Sequence, residues 1–540
     1  MPIFESRLNV KADAYAENRK NQLEKIAQLR ALEQRAVAAS EKRRPRFEER
    51  NQLTPRDRLA QLLDAGMPFL PLFNIASYCV DNPDRETSIP GGSVIAGIGY
   101  VSGTRVMVCV DDSGINAGAA TEMGFRKLLA CEQMALQNKL PFIHLVESAG
   151  ANLLAYKVEL WAHGGSVFYT LAKLSAAGIP TMTVLHGPST AGGAYMPGMS
   201  DYNVGVKHNG MAALGGAALV QAATGEVADE RQLGGSEMHA AVTGLIEYLA
   251  EDDSDGIRQI RDVVAGLGWN THCPPLPQSD FEEPLYDGEE ILGLVPSDYK
   301  TPYDARELIA RLVDGSVFTD FKSRFGPNLV CAQGKIFGHA VGLVANNGPM
   351  GPDEAAKGAH FFQIIDQANI PLIFLNNITG YMVGTEYEQN GMIKHGAKMI
   401  QAASNIRVPK LTFYVGASYG AGNYGMAGIG YEPDFIFAWP NAMTGVMSGE
   451  SAANTMSAVA VAGAKRRGTE PDMATIEKQH AAIEAIFAAQ EDAFYTSGRM
   501  LDQGVIDPRD TRKILGLLLD VIWEREHRKL QPNAFGIGRM

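Results

Sequence analysis

The feature of this sequence that most limits its fold is an internal repeat. Residues 99–150 and residues 334–380 both read as a β-rich run, a helical stretch and a second β-rich run that ends in glycine. The landmarks of the two copies pair at an offset of 229 or 230 residues: Pro141 with Pro371, Gly150 with Gly380, Pro180 with Pro409, and Gly187 with Gly416. Register kept over roughly 90 residues is not accidental, and the period is too long for a solenoid. The sequence therefore predicts a duplicated domain, where a length of 540 residues at about 150 per domain would suggest three or four domains.

Each copy alternates short apolar runs with longer helical stretches. The runs are MVCV, FIHLV and TMTVL in the first copy and VGLVA, LIFL and LTFYV in the second. Strands that alternate with helices are typical of crossover β/α units. The runs are apolar throughout, as expected for strands that are covered on both faces. The predicted fold class is α/β, built from two related domains.

Composition divides the rest of the chain. Residues 1–65 are rich in Glu, Lys, Arg, Ala and Leu with helical periodicity, which predicts an N-terminal helical arm. Residues 271–290 are rich in proline and acidic residues, a composition typical of a linker. The predicted N-terminal domain therefore covers residues 66–270, and the C-terminal domain covers residues 291–540.

The charge balance and the uncharged segments limit the partners of the chain. A formal net charge of −13 is unsuited to coating nucleic acid or an anionic membrane. The N-terminus has no apolar signal region, and the long uncharged stretch 174–200 contains the glycine and proline of loops. We therefore expect a bacterial cytoplasmic protein, although a mitochondrial matrix protein without its presequence would look the same. The five cysteines are scattered and form no cluster with histidine, so we expect no metal site.

Two glycine-rich turns carry the predicted chemistry, in a chain with 57 glycines. STAGGAY (189–195) and SYGAGNY (418–424) each follow a predicted buried strand and precede a helical stretch. Glycine lets the backbone approach a ligand closely, and N–H groups at a helix N-terminus point toward developing negative charge. Gly192 and Gly193 pair with Ala421 and Gly422, so the sequence predicts two oxyanion holes made of peptide N–H groups. The alternative is that the glycines allow tight packing of strand against helix.

Other catalytic motifs do not fit the sequence. Neither turn matches the GxGxxG dinucleotide pattern, GPSTAGG is not a P-loop, and no GxSxG nucleophile elbow follows a strand. His360 and His395 fall on predicted helices, which is typical of structural histidines. Glu147 and Asn377 occupy matching positions after a strand, where they either face the ligand cleft or cap the next helix. Because no convincing general base emerges, we expect the ligands themselves to supply the proton acceptor.

Several longer motifs resemble one protein family over nearly the whole chain. The motifs are LTPRDRLAQLLDAG (53–66), IPGG (89–92), GPSTAGGAYMPGMSD (187–201), AATGEVADERQLGG (222–235), NNG (346–348), KGAHF (357–361), NNITGYMVG (376–384), SYGAGNYGM (418–426), WPNAMTGVMSGESAAN (439–454), IDPRDTR (506–512) and FGIGRM (535–540). They resemble the carboxyltransferase (β) subunit of biotin-dependent acyl-CoA carboxylases. SYGAGNYGM and NITGYMVG resemble the methylcrotonyl-CoA and geranyl-CoA branch of that family.

The resemblance implies two tandem crotonase-like (ClpP/crotonase) domains, each a β-β-α superhelix. The N-terminal domain would hold acyl-CoA and the C-terminal domain carboxybiotin, with the active site formed between the N-domain of one subunit and the C-domain of another. Gly192 and Gly193 would stabilise the acyl enolate, and Ala421 and Gly422 the ureido oxyanion of biotin. The implied acyl-CoA pocket contains Ala149, Gly150, Ala151, Ala213, Leu214 and Gly215. The implied biotin-side pocket contains Asn347, Gly380, Tyr381, Tyr419 and Asn423.

The resemblance also implies a partner. The chain has no ATP-binding half and no biotinyl segment of the AMKM kind; GAKMI (396–400) is superficially similar but lies on a predicted helix. A separate α subunit that carries biotin carboxylase and biotin is therefore expected. The family suggests that six β subunits associate with each other and assemble with six α subunits.

Departures from the family pattern bear on the acyl group. A GTIFLAGPPLV-like run of the methylcrotonyl enzymes reads GMAALGGAALV (210–220) here, which puts Ala213 at the aromatic position. The resemblance to the methylcrotonyl-CoA and geranyl-CoA branch implies carboxylation at the γ-carbon of an α,β-unsaturated thioester. Losing a ring leaves volume that a longer apolar chain can fill, so we expect geranyl-CoA to be favoured. If Trp161 or Phe168 refills the space, 3-methylcrotonyl-CoA or another acyl-CoA becomes the alternative. More distant alternatives are a crotonase-like hydratase or isomerase with Glu147 as its base, and a non-catalytic scaffold.

Overall fold

The computed structural model describes residues 3–151, 157–277, 280–346 and 348–532. The chain divides into two structural units. The N-terminal unit comprises Ala31–Pro277 and Asp520–Met540, and the C-terminal unit comprises Met1–Arg30 and Gln278–Leu519. Each unit holds one copy of the repeat. The domain limits drawn from the sequence at residues 65, 270 and 290 stay a prediction.

The N-terminal unit is built on a mixed sheet of eight strands among the described residues, with a separate two-stranded ladder. The strands are β1 (Leu70–Pro71), β2 (Val94–Val101), β3 (Thr104–Asp111), β4 (Ala119–Ala120), β5 (Phe142–Ser148), β6 (Gly150–Ala151), β7 (Thr181–Thr190), β8 (Tyr202–Val206), β9 (Met211–Ala213) and β10 (Tyr248–Ala250). The order is β1-β2-β3-β5-β7-β8-β10, β9 pairs with the end of β7, and β4 pairs with β6. From β3 to β10 the neighbours are parallel, so the carboxyl ends of β5 and β7 lie at the same edge.

The C-terminal unit repeats this topology with seven strands in the described part of the chain. The strands are β11 (Phe318–Asp320), β12 (Leu329–Ile336), β13 (His339–Asn346), β14 (Leu372–Ile378), β15 (Lys410–Tyr419), β16 (Phe435–Ala438) and β17 (Met443–Gly445). The order is β11-β12-β13-β14-β15-β16, and β17 pairs with the end of β15 as β9 does with β7. The first two pairings are antiparallel and the others are parallel. The predicted α/β class and the duplication are confirmed.

Helices connect and cover the strands. They are α1 (Asp13–Glu41), α2 (Arg44–Glu49), α3 (Pro55–Leu62), α4 (Glu122–Asn138), α5 (Val158–Ala176), α6 (Tyr195–Met199), α7 (Ala217–Thr224), α8 (Glu230–Gly234), α9 (Ser236–Met238), α10 (Asp253–Gly266), α11 (Ile291–Leu294), α12 (Ala305–Ala310), α13 (Pro352–Ala368), α14 (Thr385–Gln389), α15 (Met392–Asn405), α16 (Gly420–Gly425), α17 (Gly449–Arg466), α18 (Met473–Ala488), α19 (Ala493–Gly498) and α20 (Thr511–His527). Side chains start several of them: the Thr54 hydroxyl accepts the N–H of Asp57 at α3, and Thr121 accepts that of Gly124 at α4.

The apolar runs of the sequence form the two cores. In the N-terminal unit, Val108, Ile143 and Val184 of the sheet pack in one cluster with residues of α3 and α10. In the C-terminal unit, Phe374 of β14 packs with residues of α13 and α15. Every residue of β14 and of β15 is buried, which agrees with the prediction of strands covered on both faces. In the described ranges, no helix is long and apolar enough to cross a membrane.

Asp502 is a fully buried carboxyl group of the C-terminal unit. Its Oδ1 accepts hydrogen bonds from the Ser497 hydroxyl at 2.7 Å and from the Gly504 N–H at 2.9 Å, while Oδ2 has no hydrogen-bond partner among the described residues. Burial raises the pKa of Asp502 to about 7. The folded state therefore holds a proton that the unfolded state loses, and Asp502 lowers stability progressively between about pH 4 and pH 7.

Asp502→Asn is expected to raise Tm at pH 8 by several degrees and to leave it nearly unchanged at pH 4. The amide keeps the two hydrogen bonds and carries no charge, and 1 kcal/mol is worth about 2–4 °C in a domain of this size. Thermal unfolding at the two pH values measures the difference. Asp262→Asn, at a side chain 68% exposed, is the control and should show no such pH dependence. An equal effect of Asp502→Asn at both pH values would contradict the buried-proton explanation.

Candidate active site

The first glycine-rich turn follows strand β7 in the N-terminal unit. Ala191 has φ 54°, and residues Ala191–Ala194 form one 3₁₀ turn that leads into α6. The N–H groups of Gly192 and Gly193 lie in this first turn, which begins directly after Thr190. A Cβ on Gly193 would stand 2.8 Å from the Ser189 Oγ, so a larger residue there would require Ser189 or the turn to shift.

The second turn follows strand β15 and has the same backbone form. Gly420 has φ 57°, the counterpart of Ala191 in the repeat, and α16 begins there. The N–H groups of Ala421 and Gly422 then occupy the first helical turn. A Cβ on Gly422 would stand 2.6 Å from Ile378 Cγ1. Each unit thus places two consecutive residues, Gly192 and Gly193 or Ala421 and Gly422, in one short turn after a strand, as the repeat predicts.

Residues predicted for the acyl-CoA pocket gather at the carboxyl end of β7. Ala213 pairs with Thr190, the last residue before the turn. The Ala149 N–H donates to the Gly118 carbonyl at 2.9 Å, and a Cβ on Gly150 would stand 3.4 Å from the Thr190 carbonyl oxygen. Ala151 belongs to β6, beside Gly150. Two more predicted residues follow Ala213: Leu214, which is 65% exposed, and Gly215, which lies against Leu219.

The two aromatic residues considered as fillers of the acyl pocket lie in different surroundings on α5. The edge of the Phe168 ring lies 3.5 Å from the Cβ position of Gly192, and the ring packs edge-on against Tyr195 with centroids 5.6 Å apart. Trp161 is 73% exposed. Phe168, and not Trp161, is therefore the ring next to the turn.

The second turn borders a cavity of about 610 Å³ in the C-terminal unit. Gly420, Ala421 and Asn423 line it from the turn, and Glu491 and Arg499 line it from other segments. A catalytic or binding role for Glu491 and Arg499 is not readable from the sequence, because they lie outside the repeated segments. The cavity therefore places a carboxylate and a guanidinium group near the predicted biotin-side N–H groups.

The polar residues predicted for the biotin side hold the turn in place. Asn423 Nδ2 donates to the Ser418 Oγ at 2.8 Å and to the Tyr414 hydroxyl at 3.0 Å. Burial raises the pKa of Tyr414 to about 12, so its hydroxyl stays protonated. The Tyr419 hydroxyl donates to Glu491 Oε2 at 2.8 Å.

Two other predicted biotin-side residues lie against α16 but do not line the cavity: the Cβ position of Gly422 is 3.2 Å from Gly380 Cα, and that of Gly425 meets the Tyr381 ring. Tyr381 packs against the core cluster beneath α16 and does not border the cavity. Gly380 has φ 129° and nothing within 4 Å of its Cβ position, so it is open on that side. Asn347 lies outside the described residues.

The expectation that Glu147 and Asn377 face a ligand cleft or cap a helix is wrong. Both lie inside strands, at the points where β5 and β14 slip in register against β7 and β15. Glu147 is 5% exposed and Asn377 is 7% exposed. Arg58 Nη1 donates to Glu147 Oε2 at 2.6 Å, so this carboxylate is not available as a base. In the parts of the chain that the structure describes, no group of three or more His, Cys, Asp and Glu could hold a metal ion.

The match to a family model identifies the family of this chain. A carboxyl transferase domain covers residues 46–536. The chain belongs to the carboxyl transferase family. It is 43% identical over 96% of its length to a probable biotin-dependent acyl-coenzyme A carboxylase beta2 subunit of Mycobacterium tuberculosis, covering 97% of that protein. It is 42% identical over 94% of both chains to the biotin-dependent 3-methylcrotonyl-coenzyme A carboxylase beta1 subunit of the same organism.

A solved structure agrees with this membership. The crystal structure of the beta subunit of geranyl-CoA carboxylase from P. aeruginosa matches with a TM-score of 0.92 and 46% identity, covering 100% of both chains. The chain is thus the carboxyltransferase component of a biotin-dependent acyl-CoA carboxylase, with a crotonase-like fold. Such subunits work with a biotin-carrying α subunit and act on CoA thioesters. The family and enzyme class predicted from the sequence motifs are confirmed.

Proposed function

We propose that the two turns divide the reaction between the two units. The N–H groups of Gly192 and Gly193 bind the thioester oxygen of the acyl-CoA and stabilise the enolate, and those of Ala421 and Gly422 bind the ureido oxygen of biotin. The observation that carries the proposal is the shared left-handed residue, Ala191 in one turn and Gly420 in the other, which stands directly before the two residues in each copy. Donors preorganised for developing negative charge supply a large part of catalysis in such sites.

The proton acceptor comes from the substrate pair. Carboxybiotin, held beside Ala421 and Gly422, would supply both the CO2 and the acceptor of the substrate proton. The residues of this chain need only bind, orient and stabilise charge. The burial of Glu147 beside Arg58 supports this division, because the one carboxylate that a hydratase reading required is already paired.

We propose geranyl-CoA as the favoured substrate, carboxylated at its γ-carbon. Ala213 is the residue next to Thr190 in the strand pair that leads to the turn, so a small side chain there widens the acyl side. The full-length similarity to a geranyl-CoA carboxylase beta subunit supports the same substrate. 3-Methylcrotonyl-CoA is the alternative, supported by the similarity to the mycobacterial beta1 subunit and by the Phe168 ring beside Gly192. An assembly of six β with six α subunits and a bacterial cytoplasmic location remain part of the proposal.

Reconstitution tests the function. The protein mixed with a biotin-carrying α subunit, ATP and bicarbonate is expected to carboxylate geranyl-CoA with a higher kcat/KM than 3-methylcrotonyl-CoA or propionyl-CoA. Incorporation of labelled bicarbonate measures the rate for each thioester, and omission of the α subunit is the control. Turnover of an enoyl-CoA without biotin would point to a hydratase, and a higher kcat/KM for 3-methylcrotonyl-CoA would overturn the substrate proposal alone.

A further inference from the structure

Four ionisable side chains meet close to the carboxyl ends of β5 and β7 in the N-terminal unit. Arg58 of α3 donates to Glu147 at 2.6 Å and, from Nε, to Asp253 Oδ2 at 2.9 Å. Nδ1 of His186 lies 2.8 Å from the other oxygen of Asp253. None of the four is more than 5% exposed. Taking charges out of water is costly, so a buried network of this size needs a reason beyond stability.

The charges of this network follow from its contacts. Burial lowers the pKa of His186, so its ring is neutral near pH 7. Burial alone would raise the pKa of Asp253, but its contacts with His186 and Arg58 bring it down to about 2. The guanidinium group of Arg58 is therefore the only cation that faces Glu147 and Asp253 within this group of four. Removing Arg58 would therefore leave two buried carboxylates without this cation.

In the C-terminal unit, a neutral side chain fills the equivalent position, and it is held by a backbone hydrogen bond instead of an ion pair. At the register slip between β14 and β15, Asn377 Oδ1 accepts the N–H of Ala417 at 3.0 Å. The residue at the position of Ala417 in the first copy is Pro188, which has no N–H to donate. Glu147, the counterpart of Asn377, therefore lacks this backbone donor. Arg58 donates to it instead, through an ion pair that the second copy does not need.

The paired carboxylate lies next to the acyl-side turn. Glu147 packs against Gly187 of β7, where its Cδ is 2.7 Å from the Cβ position. The next residue, Ser148, pairs with Ser189, and its Cβ stands 3.6 Å from the Cβ position of Gly193. A shift of Glu147 would therefore pass directly to Ser148 and to the backbone of the turn. Misplacement by about 1 Å can cost a reaction a factor of about 100.

We propose that Arg58 is a positioning residue that fixes the acyl-side N–H groups by locking Glu147 in the register slip. The role rests on the function proposed for Gly192 and Gly193. Arg58 touches no reacting atom in this assignment, because its side chain is 1% exposed and contacts the two carboxylates. It replaces, with an ion pair, the backbone hydrogen bond that Pro188 removes.

The first test is a comparison of variants in the reconstituted holoenzyme. Arg58→Met and Glu147→Gln are expected to lower kcat about 100-fold, with a smaller change in KM for the enoyl-CoA. Arg105→Met is the matched control, since Arg105 is equally buried and pairs with Asp520 and Glu524 at the opposite end of the sheet. It should lower Tm while leaving kcat near wild type. If Arg105→Met lowers kcat as much as Arg58→Met does, the role of Arg58 is structural and the proposal fails.

The second test introduces the hydrogen-bonded pair of the C-terminal unit into the N-terminal unit. Glu147→Asn with Pro188→Ala restores an amide acceptor and a backbone donor, as in Asn377 and Ala417. Adding this pair to Arg58→Met is expected to recover kcat at least about tenfold. If Arg58→Met does not fold, Glu147→Gln alone tests whether loss of the ion pair lowers kcat. Absence of recovery in a folded triple variant would overturn the proposal. Gly193→Val distinguishes failure of the proposed function from failure of the positioning role. If Gly193→Val is fully active, the oxyanion assignment fails. If it is inactive and Arg58→Met is active, only the positioning role of Arg58 fails.

Discussion

Valine at position 193 or 422 is expected to lower kcat for carboxyl transfer about 100- to 1,000-fold, the usual loss when one oxyanion-hole donor is removed. The new Cβ would meet Ser189 Oγ at 2.8 Å in Gly193→Val, and Ile378 Cγ1 at 2.6 Å in Gly422→Val. The branched valine side chain forces these contacts to shift, and a shift of the turn would displace its N–H groups from the oxygen. Steady-state kinetics of the reconstituted carboxylase at saturating enoyl-CoA measure the loss.

The same glycine variants distinguish the two sides of the reaction. Gly422→Val should also slow the decarboxylation of carboxybiotin in the absence of acyl-CoA, whereas Gly193→Val should leave that partial reaction intact. Gly198→Ala, on helix α6 after the first turn, is the control, because nothing lies within 4 Å of its Cβ position. It should keep kcat near wild type. Equal effects of the two valine variants on the partial reaction would contradict the division of labour between the units.

Ala213→Phe is expected to shift the ratio of kcat/KM for 3-methylcrotonyl-CoA over geranyl-CoA upward by about 10- to 200-fold, the range for small changes in an apolar pocket. Ala213 is half-buried and pairs with Thr190, the last residue before the acyl-side turn. The ring would take the volume that the longer geranyl chain requires. Competition between the two thioesters in one reaction measures the ratio directly.

A neighbouring substitution controls for a general disturbance of this loop. Ala218→Phe makes the same change at an exposed position on α7, outside the predicted pocket, and it should leave the ratio near that of wild type. Phe168→Ala should move the ratio the other way if the ring beside Gly192 limits the acyl chain. No change in the ratio for Ala213→Phe would remove the structural basis of the geranyl preference.

Much of the fold was readable from the repeat. Two copies of the same apolar runs predicted two units of the same α/β class, and the pairing of β9 with β7 and of β17 with β15 shows that even the short strands are duplicated. The two turns were readable because glycine and a strand end are local signals. Glu147 and Asn377 were correctly placed as equivalents, but their surroundings were predicted wrongly, since nothing near them in the chain shows what fills a register slip.

Long-range partners escaped prediction for the same reason. Arg58 and Glu147 are 89 residues apart, and Tyr419 and Glu491 are 72 residues apart. The motif that contains Arg58 marks it as belonging to the family pattern, yet only folding brings it to Glu147. The choice between Trp161 and Phe168 as the ring next to the turn also required the packing of α5.

The sequence by itself determined the duplication, the α/β class, the two N–H turns and the family. These depend on backbone freedom at glycine and on the spacing of apolar residues, which are properties of neighbouring positions. The tertiary structure alone decided that one copy closes its register slip with a neutral amide and the other with a buried ion pair. That choice depends on a donor that Pro188 lacks, and the replacement comes from a helix distant in the chain.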